Sequence, residues 1–150
     1  MHYLPAASVS AGFDLARAAF DAGAGILTHA FNAMPGLHHR HPGPVAAAAA
    51  DARVTLEIIA DGVHLHPETV RVAFAAAPHR IALVTDAMAA AGRPDGAYEL
   101  GGLRVDVEGG VARLAEGTRA IAGSTLTQDA ALRRTIEAGV LLPDAVQALT

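Results

Sequence analysis

The sequence contains no cysteine and no tryptophan, and aromatic residues make up only 4% of its 150 residues. Without cysteine the chain can form neither a disulfide nor a thiolate metal site, which fits a reducing compartment. With so few aromatic rings, the core has to come mainly from leucine, isoleucine and valine. Because 52% of the residues are hydrophobic and only 17% are charged, we expect a folded domain over residues 1–150.

Basic residues are also few. The chain has 11 Lys and Arg against 15 Asp and Glu, a formal net charge of −4, and no basic cluster that would indicate a nucleic-acid surface. The alanine run at residues 46–50 is too short to cross a bilayer, and the first residues lack the pattern of a signal peptide. We therefore expect a soluble, cytoplasmic protein that binds neither nucleic acid nor membrane.

Helical and strand patterns alternate along the first half of the chain. The predicted helices cover residues 13–22, 45–52 and 67–77. The predicted strands cover residues 25–30, 53–60 and 80–85. Three successive helix–strand units predict a parallel sheet with right-handed crossovers. After this part, short alternating runs separated by glycine pairs predict β-hairpins over residues 98–114, and two further helices are predicted at residues 127–138 and from Pro143.

Polar residues follow the predicted strands at the point where each strand ends. They are His29, His64 and Asp86. Because the carboxyl ends of parallel strands share one edge, these side chains could converge there. A neutral imidazole suits zinc, and a carboxylate can transfer the protons of a reacting water. The alternative, that each group only caps or hydrogen-bonds its own segment, stays open at this point.

Four short segments resemble, in order, the signatures of the N-acetylglucosamine-6-phosphate deacetylases. They read Thr-His-Ala-Phe-Asn-Ala-Met-Pro at residues 28–35, Ile-Ala-Asp-Gly-Val-His at 59–64, Leu-Val-Thr-Asp-Ala at 83–87 and Ile-Ala-Gly-Ser at 121–124. The resemblance implies an α/β fold that forms part of a TIM (β/α)8 barrel, approximately strands five to eight, with a β-hairpin insertion and C-terminal helices. It also implies hydrolysis of a small-molecule amino-sugar phosphate, N-acetylglucosamine 6-phosphate, to glucosamine 6-phosphate and acetate, in a protein that could form a homodimer.

The resemblance also implies a role for each candidate site residue. His29 would be a ligand of a divalent metal, with zinc as the expected ion, and Asp86 would move protons between the metal-bound water and the leaving amine. The groups that would hold the sugar phosphate are Asn32, the backbone of Ala33, Arg40 and His64. The residues that would wall the acyl side of the pocket are Ile121, Ala122 and Gly123.

Some of these residues have simpler interpretations. His29 could be an ordinary buried histidine at a strand end, and Asp86 could be the N-cap of a following alanine-rich helix. A third group, the histidines 38, 39 and 41, suggests a metal cluster, but the surrounding glycine and prolines favour a polar loop around Arg40.

The resembled family has a second metal histidine before the first helix, and residues 7–9 of this chain contain none. We therefore expect a chain that is truncated at both ends relative to that family, with an open parallel sheet edge. Two other functions stay open. One is a non-catalytic protein that binds a sugar phosphate. The other is a different hydrolase of the amidohydrolase superfamily. The Asn-Ala-Met-Pro segment and Arg40 weigh against this hydrolase, because these groups suit a phosphate better than a neutral ring.

Overall fold

The computed structural model describes residues 2–3 and 12–149 of the chain. One sheet contains four parallel strands in chain order. These strands are β1 (His2–Tyr3), β2 (Ala24–Leu27), β3 (Thr55–Ile58) and β4 (Ile81–Leu83). The helices that connect them are α1 (Phe13–Asp21), α2 (Gly43–Ala50) and α3 (Pro67–Ala76). The predicted parallel sheet is therefore confirmed, although its strands are shorter than expected: β2 ends at Leu27 and not at residue 30.

The second half of the described chain has a different architecture. An antiparallel sheet, in the order β5-β6-β7, is followed by two helices. Its strands are β5 (Gly96–Leu100), β6 (Leu103–Glu108) and β7 (Val111–Leu114), and the helices are α4 (Gln128–Glu137) and α5 (Leu142–Gln147). The predicted hairpins and both predicted helices are present. No helix of the described residues is both long enough and apolar enough to cross a membrane.

The main hydrophobic cluster joins strands β2 to β4 to the helices. Its larger fully buried side chains are Phe20 on α1, Val54 before β3, and Leu56 and Ile58 on β3. Much of the rest is alanine, which lets α2 lie close to the sheet and to α1. A second cluster, formed by Met88, Ala90, Val105, Val107, Ala112 and Ala122, connects the antiparallel sheet to the segments after β4 and before α4. This second cluster holds residues 121–124 beside the end of β4.

The free edge of β4 is covered by the chain itself. The Leu83 N–H donates to the carbonyl of Ala148 at 2.7 Å, and the Leu83 carbonyl accepts from Gln128 Nε2 at 3.1 Å. One residue past Val84, the carbonyl of Thr85 accepts from the Ser124 hydroxyl. The prediction of an open parallel edge is therefore wrong at Leu83, because residues after β7 supply hydrogen bonds there that a further strand would make.

Candidate functional site

The turn after β2 has an unusual backbone. His29, Phe31 and Ala33 all have positive φ values, of 36°, 76° and 51°. Residues other than glycine rarely adopt this conformation, and it persists only where surrounding contacts impose it. Part of the constraint comes from β3, because the Ala30 N–H donates to the Glu57 carbonyl at 2.7 Å. Such strain concentrates at ligand-binding and active sites.

His29 is the least satisfied polar residue of this turn. Its Nδ1 atom is buried and has no hydrogen-bond partner within the described part of the chain. A buried polar atom without a partner costs about 1–3 kcal/mol, and such atoms in folded proteins call for an explanation such as a ligand or ion. The Thr135 Oγ1 atom on α4 is also buried without a partner among the described residues. The observation therefore supports a ligand at His29, and the simpler interpretation stays open.

Asn32 and Ala33 offer different groups to a ligand. The Asn32 Nδ2 atom donates to the carbonyls of His29 and Ala30, both at 3.3 Å, so both hydrogens of this amide group are already used. A phosphate accepts hydrogen bonds but does not donate them when fully ionised, so it would have to draw Nδ2 away from these long bonds. The N–H of Ala33 makes no hydrogen bond within residues 12–149 and is a ready donor.

Arg40 lies in the exposed loop before α2. Its own N–H donates to His38 Nδ1 at 3.3 Å, and the rings of His38 and His41 stack with centroids 5.5 Å apart. The guanidinium makes no contact with the other candidate residues in the described structure. Residues 35–42 form neither a helix nor a strand, so the three histidines lie in a loop as predicted.

His64 follows β3 and is bound by an aspartate three residues earlier. Asp61 Oδ2 lies 2.7 Å from His64 Nδ1, and Oδ1 accepts from the N–H groups of Val63 at 2.8 Å and His64 at 2.7 Å. Burial of Asp61 opposes its ionisation, but the hydrogen bonds from His64 and Val63 outweigh this effect and hold the pKa of the Asp61 carboxyl below its usual value. His64 is therefore fixed on one side by a carboxylate.

Asp86 follows β4 in a turn that is held by the segment 121–124. The residue has a φ of 50° and its side chain is exposed. Its carbonyl accepts from the Ser124 N–H at 2.8 Å, and a Cβ placed on Gly123 would lie 3.1 Å from the same oxygen. No helix begins after Asp86, so the N-cap interpretation is wrong. The carboxylate has no hydrogen-bond or ion-pair partner in the described part of the chain.

The other two residues of the predicted acyl wall differ in exposure. Ala122 is buried, and its N–H donates to the carbonyl of Ala112 at 3.1 Å. Ile121 is half-buried and forms a bridge with Arg113 of β7. The β5–β7 sheet thus supports this segment, and Gly123 is the member of it that touches the turn at Asp86.

Strand topology places these groups along one edge. Strands β2, β3 and β4 are parallel neighbours, and His29, His64 and Asp86 lie in the turns that follow them. The structure thus brings three of the predicted residues to the same end of the sheet, with Asn32, Ala33 and Gly123 beside them. Arg40 lies apart from this edge in the exposed loop before α2. A cavity of about 500 Å³ lies elsewhere, against the first residues of β3 and β4.

Asp61 is the functional candidate that the sequence interpretation missed. The signal was present, since an aspartate and a histidine three positions apart in Asp-Gly-Val-His can share a turn in which the carboxylate accepts from backbone N–H groups. Ser124 was also missed as a structural residue. It is part of a motif, but the sequence does not show that its hydroxyl donates to the Thr85 carbonyl, two residues after β4.

Relatives of known name match most of this chain, although no protein-family model does. An N-acetylgalactosamine-6-phosphate deacetylase of Escherichia coli O157:H7 is 54% identical over 121 residues, which are 81% of this chain and 32% of the relative. An N-acetylglucosamine-6-phosphate deacetylase of Vibrio furnissii is 45% identical over 117 residues, or 78% of this chain and 29% of the relative. This chain therefore spans about a third of the length of these two relatives.

Solved structures give the same result. A mutant N-acetyl-D-glucosamine-6-phosphate deacetylase of Mycobacterium smegmatis in complex with N-acetyl-D-glucosamine-6-phosphate matches with a TM-score of 0.85 and 47% identity, over 93% of this chain and 37% of that one. The N-acetylglucosamine-6-phosphate deacetylase of Thermotoga maritima matches with a TM-score of 0.84 and 36% identity, over 93% and 38%. Over this segment the chain is homologous to the N-acetylglucosamine-6-phosphate deacetylases.

Proposed function

We propose that this chain, as a homologue of one segment of the N-acetylglucosamine-6-phosphate deacetylases, provides the phosphate-binding and proton-transfer side of a deacetylase site. The reaction is hydrolysis of N-acetylglucosamine 6-phosphate to glucosamine 6-phosphate and acetate. The observation that carries the proposal is the buried, unpartnered Nδ1 of His29 at the same sheet edge as Asp86 and His64. Because this atom has no hydrogen-bond partner among the described residues, a ligand is the reason we assign to it.

Asp86 is the proposed acid and base. Its carboxylate is exposed at the end of β4, where it can take a proton from the attacking water and return it to the amine as the amide bond breaks. The turn is fixed by the Ser124 N–H and by the close approach of Gly123. The proton-transfer group is thus held by backbone contacts while its oxygen atoms stay free.

His29 is the proposed metal ligand, but the described residues do not form a complete metal site. A catalytic zinc ion usually takes three protein ligands and keeps one open position. Within residues 2–3 and 12–149 no group of three His, Asp or Glu residues is placed for this. The described part of the chain therefore fits one ligand and not the whole set, and we assign no step of the reaction to a metal.

The phosphate of the substrate is assigned to the groups beside this edge. The Ala33 N–H is an unused donor, and His64 and Asn32 face the same end of the sheet. Arg40 can make a bidentate contact with a phosphate if its exposed loop turns towards Asn32. Such charge-assisted contacts with the phosphate favour a sugar phosphate over the neutral rings that other amidohydrolases take. Residues 121–123 would wall the acyl group.

Two other functions have specific support. Relatives that are 54% and 52% identical are named for N-acetylgalactosamine 6-phosphate, an epimer at the C4 hydroxyl, so this sugar is the second candidate substrate. Non-catalytic binding of the sugar phosphate is favoured by the single metal-ligand candidate among the described residues. Assignment of the four parallel strands to barrel strands five to eight, the homodimer, zinc and the cytoplasmic location stay predictions.

Acetate release from the two sugar phosphates tests the proposal directly. Because the described residues do not complete a metal site, the chain by itself could be inactive. If it releases acetate with zinc added, Asp86→Asn should lower the rate by at least about 100-fold, the usual size of an acid–base contribution. Asp14→Asn, which changes an exposed carboxylate on α1, is the matched control and should leave the rate unchanged.

Each other result of that assay has a defined meaning. Equal rates for Asp86→Asn and wild type would contradict the assigned proton-transfer role. Saturable binding of N-acetylglucosamine 6-phosphate without acetate release would refute hydrolysis and support the binding function. A higher kcat/KM for the galactosamine epimer would select the second substrate.

A further inference from the structure

The turn after β3 holds the ring of His64 through a single carboxylate. Asp61 contacts this turn at three points, the His64 ring and the N–H groups of His64 and Val63. Only 9% of the His64 side chain and 12% of the Asp61 side chain are exposed. Because Nδ1 is used by Asp61, Nε2 is the ring atom that remains for a ligand.

The chemistry of this contact places the proton. An ionised carboxylate can only accept hydrogen bonds, so the 2.7 Å contact requires a proton on His64 Nδ1. A neutral imidazole has one ring proton, and Nε2 then carries a lone pair. In this state Nε2 can accept from a hydroxyl group, but it cannot donate to a fully ionised phosphate. Only the doubly protonated ring can do that.

We propose that Asp61 is a positioning residue that fixes His64 as the Nδ1–H tautomer, so that a phosphate dianion is bound by His64 only together with a proton. Asp61 does not touch the ligand in this account and acts through the ring that it orients. The tautomer follows from the geometry of residues 61–64 alone. The consequence for a phosphate rests on the proposed function.

A nearby histidine provides the opposite case. His66 Nδ1 accepts a hydrogen bond from the Glu68 N–H at 3.2 Å, at the first turn of α3. Its neutral ring must therefore carry the proton on Nε2. Two histidines that are separated by one residue are thus expected to be opposite tautomers, because one faces an acceptor and the other faces a donor.

The charged groups around this turn include Asp61 and, from α4, Arg134 and Glu137, which line one cavity together with Gly62 and Leu65. A Cβ placed on Gly62 would lie 2.7 Å from Arg134 Nη1, so the guanidinium lies directly against the turn. A proton that is taken up together with a phosphate has to come from solvent, so the uptake is measurable.

The substitution Asp61→Asn separates orientation from folding. The Oδ1 atom of the introduced asparagine can still accept from the two backbone N–H groups, which keeps the turn. Its amide group then places Nδ2, a donor, against His64 Nδ1. The reversed amide would place its NH2 group against two N–H donors and is disfavoured. The neutral ring of His64 in this variant should carry its proton on Nε2.

Nitrogen-15 spectra of the histidine rings at about pH 8, where an ordinary histidine is neutral, read the tautomers without any ligand. We expect His64 of the wild type to be protonated on Nδ1 and His66 on Nε2. In Asp61→Asn, His64 should change to Nε2 while His66 stays as it was. A wild-type His64 protonated on Nε2, or no change in the variant, would overturn the inference.

Calorimetry with N-acetylglucosamine 6-phosphate tests the consequence. Titrations at about pH 8 in two buffers of different protonation enthalpy should show uptake of about one proton by the wild type and close to none by Asp61→Asn. Binding by the wild type without proton uptake would overturn the inference. If neither protein binds the sugar phosphate, the proposed function fails, and the ring spectra alone decide the tautomer.

Discussion

Arg80, at the start of β4, should contribute strongly to the stability of the fold. Its guanidinium donates to four carbonyls around the end of α2: Nη1 bonds those of Ala48 at 3.1 Å, Asp51 at 2.9 Å and Val54 at 2.5 Å, and Nη2 bonds that of Ala49 at 2.7 Å. Carbonyls at a helix C-terminus have no partner within the helix, and a cation placed there also interacts favourably with the helix dipole. One side chain thus connects α2, β3 and β4.

The cost of removing it can be worked out from burial. Ala48 and Val54 are fully buried, so water cannot replace the guanidinium at their carbonyls. At roughly 1–3 kcal/mol for each unsatisfied group, Arg80→Ala should lower the free energy of unfolding by about 3 kcal/mol. For a chain of this size that corresponds to a decrease in Tm of roughly 6–12 °C. Arg80→Lys should be intermediate, because an ammonium keeps the charge but cannot span the four carbonyls.

Urea and thermal unfolding, followed by circular dichroism, measure this loss. The matched control is Arg71→Ala, which removes an exposed arginine whose ion pair in the described structure is with Glu68 of its own helix and whose side chain lies near Gly139. A change within about 0.5 kcal/mol is expected there. The reasoning is refuted if Arg80→Ala costs less than about 1 kcal/mol, the lower bound for a single unsatisfied group, or no more than Arg71→Ala.

Two further predictions concern acid stability and the turn at Asp86. The hydrogen bonds from Arg53 hold the pKa of Asp51 far below its usual 3.8, so Asp51 stabilises the fold above that pH and this stabilisation is lost as the pH falls towards the folded-state pKa. In Asp51→Asn the free energy of unfolding should therefore decrease less as the pH is lowered. A pH profile identical to that of the wild type would show that the ion pair between Asp51 and Arg53 does not contribute to stability. Gly123→Ala should cost more stability than Gly117→Ala, since both have positive φ but only at Gly123 does a Cβ approach the Asp86 carbonyl, at 3.1 Å. The positive φ alone costs an alanine roughly 1–2 kcal/mol at either position. If chemical denaturation shows the same loss of unfolding free energy in both variants, the contact with the Asp86 carbonyl adds no cost and the prediction is wrong.

Much of the fold could be predicted because its signals are local. The helix and strand patterns before residue 86 have clear periods, and three helix–strand units leave little choice but a parallel sheet. That topology alone places His29, His64 and Asp86 in turns at one edge. The covered edge of β4 could not be predicted, since it depends on contacts such as that of Gln128 with Leu83, 45 positions apart.

The site itself was only partly accessible from the sequence. Motifs identified His29 and His64, but the missing partner of His29 Nδ1 and the bond between Asp61 and His64 depend on side-chain placement. Positive φ at His29 and Ala33 was also unexpected, because such residues normally avoid it. Tertiary contacts impose this conformation, and no local propensity indicates it.

Binding of N-acetylglucosamine 6-phosphate, compared with N-acetylglucosamine, tests the central claim most directly. Both sugars can be titrated into the chain while backbone amide signals are followed by NMR. The account predicts saturable binding that moves the signals of residues 29–33 and 61–64, with affinity about 100-fold lower without the phosphate, equivalent to losing roughly two charge-assisted hydrogen bonds. Equal affinity for the two sugars, or shifts confined to the cavity beside Thr55 and Arg80, would contradict it.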